Sequence, residues 1–515
     1  MAGKYDPPSR IDKVTASILK EMKVVDTPAP VTQPIPVSSD DLAKGWAKVH
    51  ERTSSSPSKM HVGHWKASCR DPAIHWVNTV MINIPYLSGY SPKRWQQGIN
   101  TMLEKVKGNC RVDKLRTILL YEADFNMLNK HIGRTMMKYA EKYGLIAGVQ
   151  YGGRQRKSSN SHALNKRLLF DILRQKRKSG AICSCDLKSC YDRIVHAFAA
   201  LAMRRAGVAM SATHVMFDTI QKLVHKVRTA FGDSVESFGG EAWRELEPLF
   251  GVGQGNGAGP AIWAVISSIF FDVLKKNGFG AILKTPFSNE ILEVEGFGYV
   301  DDTDILQTGL DWEDYLDITA KLQASVELWE KCTELSGGYL VPAKSWWTIV
   351  DFTWTHGHWK YTAEFEDAEL LIKDFEGHSK TLRLLEPTES QKMLGVWLAP
   401  DGNNRRQIEE MRLVSTKWSE QIRTGAISPS DAWQALSLAL IKKLEYPLVA
   451  LTLTEKECQY IMAPALAGGL NRAKICSKIK QAVVYGNIEL QGMGLHKLHT
   501  TLGIRQIQAL LDHSW

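Results

Sequence analysis

The sequence lacks the marks of several protein classes. Its eight cysteines in 515 residues include no CxxC pair and no regular spacing. They read as reduced thiols of an intracellular protein rather than as a disulfide scaffold. The N-terminus has no apolar signal core. The most apolar stretch, Ala261 to Leu274, is too short to span a bilayer and carries Ser and Asp. These absences predict a soluble intracellular chain with no membrane partner. The sequence does not choose between nucleus and cytoplasm, and it leaves the oligomeric state open. No charge of one sign dominates either, for the formal net charge is +9. Its sign still suits a polyanionic partner.

Charged residues make up 23% and hydrophobic residues 44%, so a large core can form. A length of 515 residues implies more than one domain or subdomain.

The most informative stretch is Gly296-Phe-Gly-Tyr299-Val300-Asp301-Asp302-Thr-Asp304-Ile-Leu306. It reads as two short strands with an Asp pair between them. Tight hairpins favour Asn-Gly or Asp-Gly, because the turn asks for positive φ. Two adjacent carboxylates also repel. A local rule broken without compensation points to function, and paired carboxylates are hard ligands for a magnesium-like cation. An ordinary polar turn is the plain alternative.

Two further stretches change the balance. Ala181 to Cys185 is a short strand that delivers Asp186, followed by the helix-like Leu187 to Ile194, which includes Tyr191. Gly253-Gln254-Gly255-Asn-Gly-Ala-Gly259-Pro260 is a glycine-rich loop ahead of an apolar helix, with Pro260 suited to its first turn. The buried face of that helix is predicted from Ile262, Val265, Ile266, Ile269, Phe270 and Val273. The run also approximates a dinucleotide fingerprint, but Leu246-Glu-Pro-Leu before it makes a poor strand.

The order strand-Asp, glycine loop with helix, then hairpin Asp-Asp resembles the reverse transcriptases of non-LTR (LINE-like) retrotransposons, with a YVDD box. The resemblance runs from about Ser58 to Trp515. It implies an α+β right-hand polymerase, with fingers, a palm built on a small antiparallel sheet backed by helices, and a helical thumb. The expected divisions are an N-terminal extension over 1–57 with a proline-rich linker, Pro28 to Pro36, then fingers over 58–180. A palm over 181–402 and a thumb with a further helical region over 403–515 follow. The chain stops at Trp515 inside a helical pattern, which reads as a truncated reading frame. No endonuclease fits at the front, and no ribonuclease H pattern appears at the back.

The resemblance also implies roles. Asp186, Asp301 and Asp302 would hold two Mg2+ ions, with Mn2+ as a substitute. Lys105 and Arg116, on paired finger strands, would grip the incoming triphosphate, since arginine binds phosphate bidentately. Tyr191, five residues after Asp186, would exclude a 2′-hydroxyl. Gln254 and Gly255 would contact template and nucleotide. Lys344, in Pro342-Ala-Lys344-Ser345, would protonate the leaving pyrophosphate, and Leu394-Gly395 would form the primer grip. The partners would be an RNA template, a DNA primer or nicked target DNA, and dNTPs. The rival readings are an RNA-dependent RNA polymerase and a degenerate or domesticated nucleic-acid-binding protein without activity.

Other stretches carry lesser expectations. His61, His64 and Cys69 lack a fourth ligand, so a packing loop is preferred to zinc. Ala163 to Lys178 predicts an amphipathic helix with a basic outer face along the template. Thr213 to Lys226 predicts a helix, and Val227 to Phe238 a strand pair around Gly232-Asp233. Tyr315, Ile318, Leu322, Val326 and Trp329 mark a helix that stops at Gly337-Gly338. Trp346, Trp347, Trp354 and Trp359 read as packing residues, and the C-terminal helices should break near Gly425–Pro429 and Gly468–Gly469.

Overall fold

The computed structural model describes residues 8–23, 33–53, 57–155, 157–241, 250–285, 288, 290–476 and 478–513. Most of the linker read at Pro28 to Pro36, the stretch Leu246 to Leu249 and Trp515 lie outside them. The fold is a mixed α+β arrangement with small sheets.

At the centre is a five-stranded sheet. Its order is Arg383–Leu385, Trp346–Val350, Gly180–Cys185, Asp302–Thr308, Gly296–Tyr299. Gly180–Cys185 is the middle strand and pairs antiparallel with both neighbours. Ala181, Ile182, Cys183 and Cys185 are all buried there, so the middle strand reads apolar on both faces. Cys183 and Cys185 are free thiols within the core.

Two helices back this sheet. Gly259–Lys276 begins with Pro260 in its first turn. Its six predicted core residues are buried, but so are Trp263, Ala264, Ser267, Ser268, Phe271 and Leu274. The helix is therefore enclosed on nearly all sides rather than on one. Ser267 and Ser268 sit there without cost because their hydroxyls bond backbone oxygens within the helix. Tyr315–Leu335 packs beside it through Ile318, Leu322, Val326 and Trp329, and the Trp329 ring meets Phe270 and Phe271 at 5.7 and 4.9 Å. Gly337 takes φ +94° just after the helix, a conformation only glycine adopts cheaply.

A second sheet pairs Gln97–Glu104 antiparallel with Leu115–Leu120, and parallel with Val224–Thr229. This corrects one sequence expectation. The helix predicted to Lys226 ends at Gln221, and Val224 already pairs with Gln97. The alternation of Val224 to Thr229 let the strand win over helix continuation.

The N-terminal residues join the main core through Ile18, Met22, Leu42 and Trp46. His61 and His64 cap the helix Val62–Ser68, and the Cys69 thiol bonds the Trp65 carbonyl. The C-terminal helices form a separate core around Leu436, Leu444, Ile461 and Ala465. The predicted break at Gly468–Gly469 does not occur. Both glycines lie inside the helix Glu455–Arg472. A Cβ on Gly468 would lie 2.2 Å from the Ser419 hydroxyl, so this glycine lets two helices approach closely.

Candidate active site

Strand register assembles the aspartates. Cys185 pairs with Thr303, and Tyr299 pairs with Asp302 across a two-residue turn. Asp186 therefore leaves the middle strand at the same edge where the hairpin presents Asp301 and Asp302. The turn is strained: Val300 adopts φ +60°, which a β-branched residue avoids at a cost of order 1–3 kcal/mol.

A buried glutamine holds that turn. Gln150 has no exposed surface. Its side-chain oxygen accepts the Val300 N–H at 3.1 Å and the Gly152 N–H at 2.9 Å. Its amide donates to the Ser267 hydroxyl at 2.8 Å. Gly152 is required too, since a Cβ there would lie 2.3 Å from the Val300 nitrogen. The Tyr151 N–H donates to the Gly298 carbonyl and the Gly298 N–H to that of Val149, so this loop braces the hairpin. Sequence reading missed Gln150, although its neighbours Tyr151-Gly152-Gly153 signalled a close backbone approach.

The carboxylates feel one another. Withdrawal from water raises Asp301 above the usual range, the Asp186 charge adds to this, and Arg116 and Lys344 oppose it. Asp302 is exposed on one side yet flanked by protein. That flanking, then the charges of Asp301 and Asp304, push its pKa up to about 6. Asp186 is engaged by the Lys344 ammonium at 3.1 Å, and its N–H donates to the Ser345 hydroxyl. With Lys344 about two-thirds exposed, this ion pair contributes only about 0–1 kcal/mol and is easily exchanged.

The other sequence-predicted residues surround this edge. Arg116 lies on Leu115–Leu120 opposite Leu103, its charge acting on Asp301. Lys105 directly follows the partner strand, its charge reaching Asp192. Tyr191 is half-buried, and its hydroxyl is pushed to higher pKa by burial and by the charge of Asp301. The Gln254 N–H donates to Asp192 at 3.1 Å, and its carbonyl accepts from Leu119. Gly255 takes φ +134°, where a Cβ would strike the Leu119 carbonyl at 2.3 Å. Leu394 and Gly395 form the tip of a small hairpin, Gln391–Met393 with Val396–Leu398, both at positive φ. The Tyr446 hydroxyl donates to the Leu394 carbonyl.

Beneath the hairpin lies a group that sequence reading did not assign. Asp304, fully buried, receives the Lys166 ammonium at 2.9 Å and faces His162 at 3.4 Å. Burial alone would raise Asp304, but Lys166 and His162 hold it below its ordinary value. Lys166 also lies 4.7 Å over the Trp346 ring. This corrects the basic outer face expected for the helix, which spans Ser159–Lys176. Lys166 and Arg167 turn inward while Leu168 is exposed, because Asp304 and Asp171 offer partners at those positions. Trp354 and Trp359 are exposed, and they pack edge to face at 5.2 Å as a cross-strand pair on the added strands Phe352–Thr355 and His358–Tyr361.

The tightest acidic cluster lies elsewhere. Among the described residues, only Asp374, Glu376 and His378 bring three ligand atoms within 4.8 Å of one another, on a largely exposed turn. Asp186, Asp301 and Asp302 are spread more widely. Among the described residues no helix is long and apolar enough to cross a membrane. No family model matches the chain, and no curated protein matches it.

Proposed function

We propose that the chain is an RNA-directed DNA polymerase of the right-hand type. Fingers would occupy 58–180, the palm 181–402 and a thumb 403–515. The observation that carries the reading is the strained hairpin tip. Val300 at φ +60° is held by Gln150 so that Asp301 and Asp302 stand beside Asp186. Such strain persists where it serves a site. Adjacent carboxylates that repel one another, with Asp301 and Asp302 raised by burial and by neighbouring negative charge, are suited to cation binding.

Asp186, Asp301 and Asp302 would hold the magnesium ions, which when bound activate the primer 3′-oxygen and neutralise the triphosphate. Arg116 and Lys105 grip the phosphates from the finger strands. The Tyr191 ring, beside Asp301, closes the space a 2′-hydroxyl needs. Lys344 exchanges its exposed pairing with Asp186 for the leaving pyrophosphate and gives it a proton. Leu394-Gly395, anchored by Tyr446, presents backbone to the primer strand.

The test is primer extension on an RNA template with magnesium, offering deoxynucleotides and ribonucleotides separately. Extension with deoxynucleotides alone supports the reading. Ribonucleotide preference would redirect it to an RNA polymerase. Folded protein that binds RNA and extends nothing would redirect it to a binding protein.

A further inference from the structure

The helix Pro72–Ser88 is built inside out. Its polar residues face the protein. The His75 Nε2–H donates to the Ser39 carbonyl at 2.7 Å, the Asn83 side chain bonds the Val37 N–H and carbonyl at 2.8 and 2.9 Å, and Thr79 is buried. Its apolar residues face water. Ile74, Trp76, Val77, Met81, Ile84 and Leu87 are all exposed, from 44% at Leu87 to 63% at Trp76. Among the exposed positions of the helix only Ser88 is polar. The helix holds no Asp, Glu, Lys or Arg. The neighbouring helices Ser39–Ala47, Ala123–Lys142 and Met210–Gln221 pack against it and leave this face bare.

Single exposed apolar side chains are ordinary, but a contiguous row is not. These six leave on the order of 700 Å² of apolar surface uncovered, above the roughly 300–600 Å² of the largest patch on a typical monomer and near the roughly 800 Å² that one partner gives a standard interface. The spacing says what shape covers it. Ile74, Val77, Met81 and Ile84 recur at alternating intervals of three and four residues, the seam along which one helix packs on another. The chemistry narrows the occupant further. An interfacial membrane helix carries Lys or Arg on its polar face, whereas here that face is uncharged and turned into the protein. Interfaces between copies of one chain are more apolar than transient ones, and their cores are poor in charge. A helix without charge also crosses its own copy about a twofold axis with no like-charge repulsion. Gly89, at the helix end, lies against Ser211, so the exposed Tyr90 and Met210 extend the patch.

We infer that the chain forms a symmetric dimer through this face, with Pro72–Ser88 of one copy packed along Pro72–Ser88 of a second. Met81 lies in the middle of the seam. The inference stands apart from the polymerase reading, since the helix holds none of the residues assigned there.

The test is analytical sedimentation of nuclease-treated protein over a dilution series. Wild type is compared with Val77→Glu/Met81→Glu and with a control, Trp312→Glu/Phe375→Glu, that places the same charges at exposed rings elsewhere. Wild type and control should sediment at twice the chain mass at micromolar concentration and dissociate on dilution. The seam variant should stay at the chain mass, its dimer weakened by about 100-fold or more, since each copy would bring two carboxylates into an apolar seam. Helical content by circular dichroism should be equal in all three, because every substituted position is exposed. Should the double variant fail to fold, Met81→Gln carries the test, with a dimer weakened by about tenfold. Raising the salt should leave the wild-type dimer intact, as an apolar contact is not screened. A wild type at the chain mass throughout overturns the inference, and so does a dimer that the seam variant keeps. A wild type at the chain mass that floats with phosphatidylcholine vesicles, where the seam variant does not, overturns it too and gives the face to a membrane. The readout is mass, so failure of the polymerase reading in its own assay leaves this result standing.

Discussion

Asp302 and Asp304 sit two residues apart on one strand, yet their surroundings make them opposites. Asp304 has no exposed surface, is met by Lys166 and His162, and is held below its ordinary pKa. Asp302 stands at the open edge beside Asp301, with its pKa pushed up to about 6. The first carboxylate is satisfied by the protein. The second has no ion-pair partner among the described residues. That difference separates a carboxylate that holds the fold from one that the proposed function assigns to a metal, more clearly than residue type does.

The sharpest way to break the comparison is to neutralise each kind of carboxylate in turn. Asp301→Asn should lower primer extension by about 10³-fold or more, since the charge that receives the cation is gone. Its melting temperature should not fall, because like-charge repulsion is relieved. Asp304→Ala should do the opposite. It leaves Lys166 buried without a partner and costs about 3–5 kcal/mol, visible in urea unfolding. The double variant Asp304→Leu/Lys166→Met should recover much of that loss, because no charge is stranded.

Next in size is the brace. Gln150→Ala orphans the Val300 N–H, which costs about 1–3 kcal/mol. It should also lower kcat more than it raises the nucleotide KM, since only the hairpin tip moves. An equal stability loss with unchanged kcat would reduce Gln150 to a packing residue.

The pH dependence gives a smaller effect of opposite sign at the two aspartates. Asp302 is raised, so its contribution to stability is full below its unfolded pKa of 3.8 and is lost as pH rises through about 6. Asp304 is lowered, so its contribution is present above 3.8 and is lost as pH falls through its depressed value. Magnesium should therefore raise the melting temperature of wild type more at pH 8 than at pH 5, and Asp302→Asn should flatten that difference. A magnesium shift independent of pH would contradict the assignment.

The sequence carried the candidate site further than it carried its supports. Asp301 and Asp302 stood out because a hairpin turn without glycine breaks local turn chemistry. Asp186 stood out as the polar end of an apolar strand. Lys166 was legible only as one more basic residue on an amphipathic helix, because its partner Asp304 lies 138 residues away. Gln150 was silent for the same reason, since the backbone it bonds belongs to a hairpin 150 residues later. Gly468 and Gly469 misled because a glycine that ends a helix and one that lets helices touch look alike in sequence.

The central claim is that Asp186, Asp301 and Asp302 form the metal-dependent centre of a polymerase. Its most direct test is primer extension on an RNA template with magnesium and deoxynucleotides, comparing folded wild type with folded Asp301→Asn. The account predicts extension by wild type and none above background by the variant, with equal RNA binding. Extension by both, or by neither while both bind RNA, would contradict it.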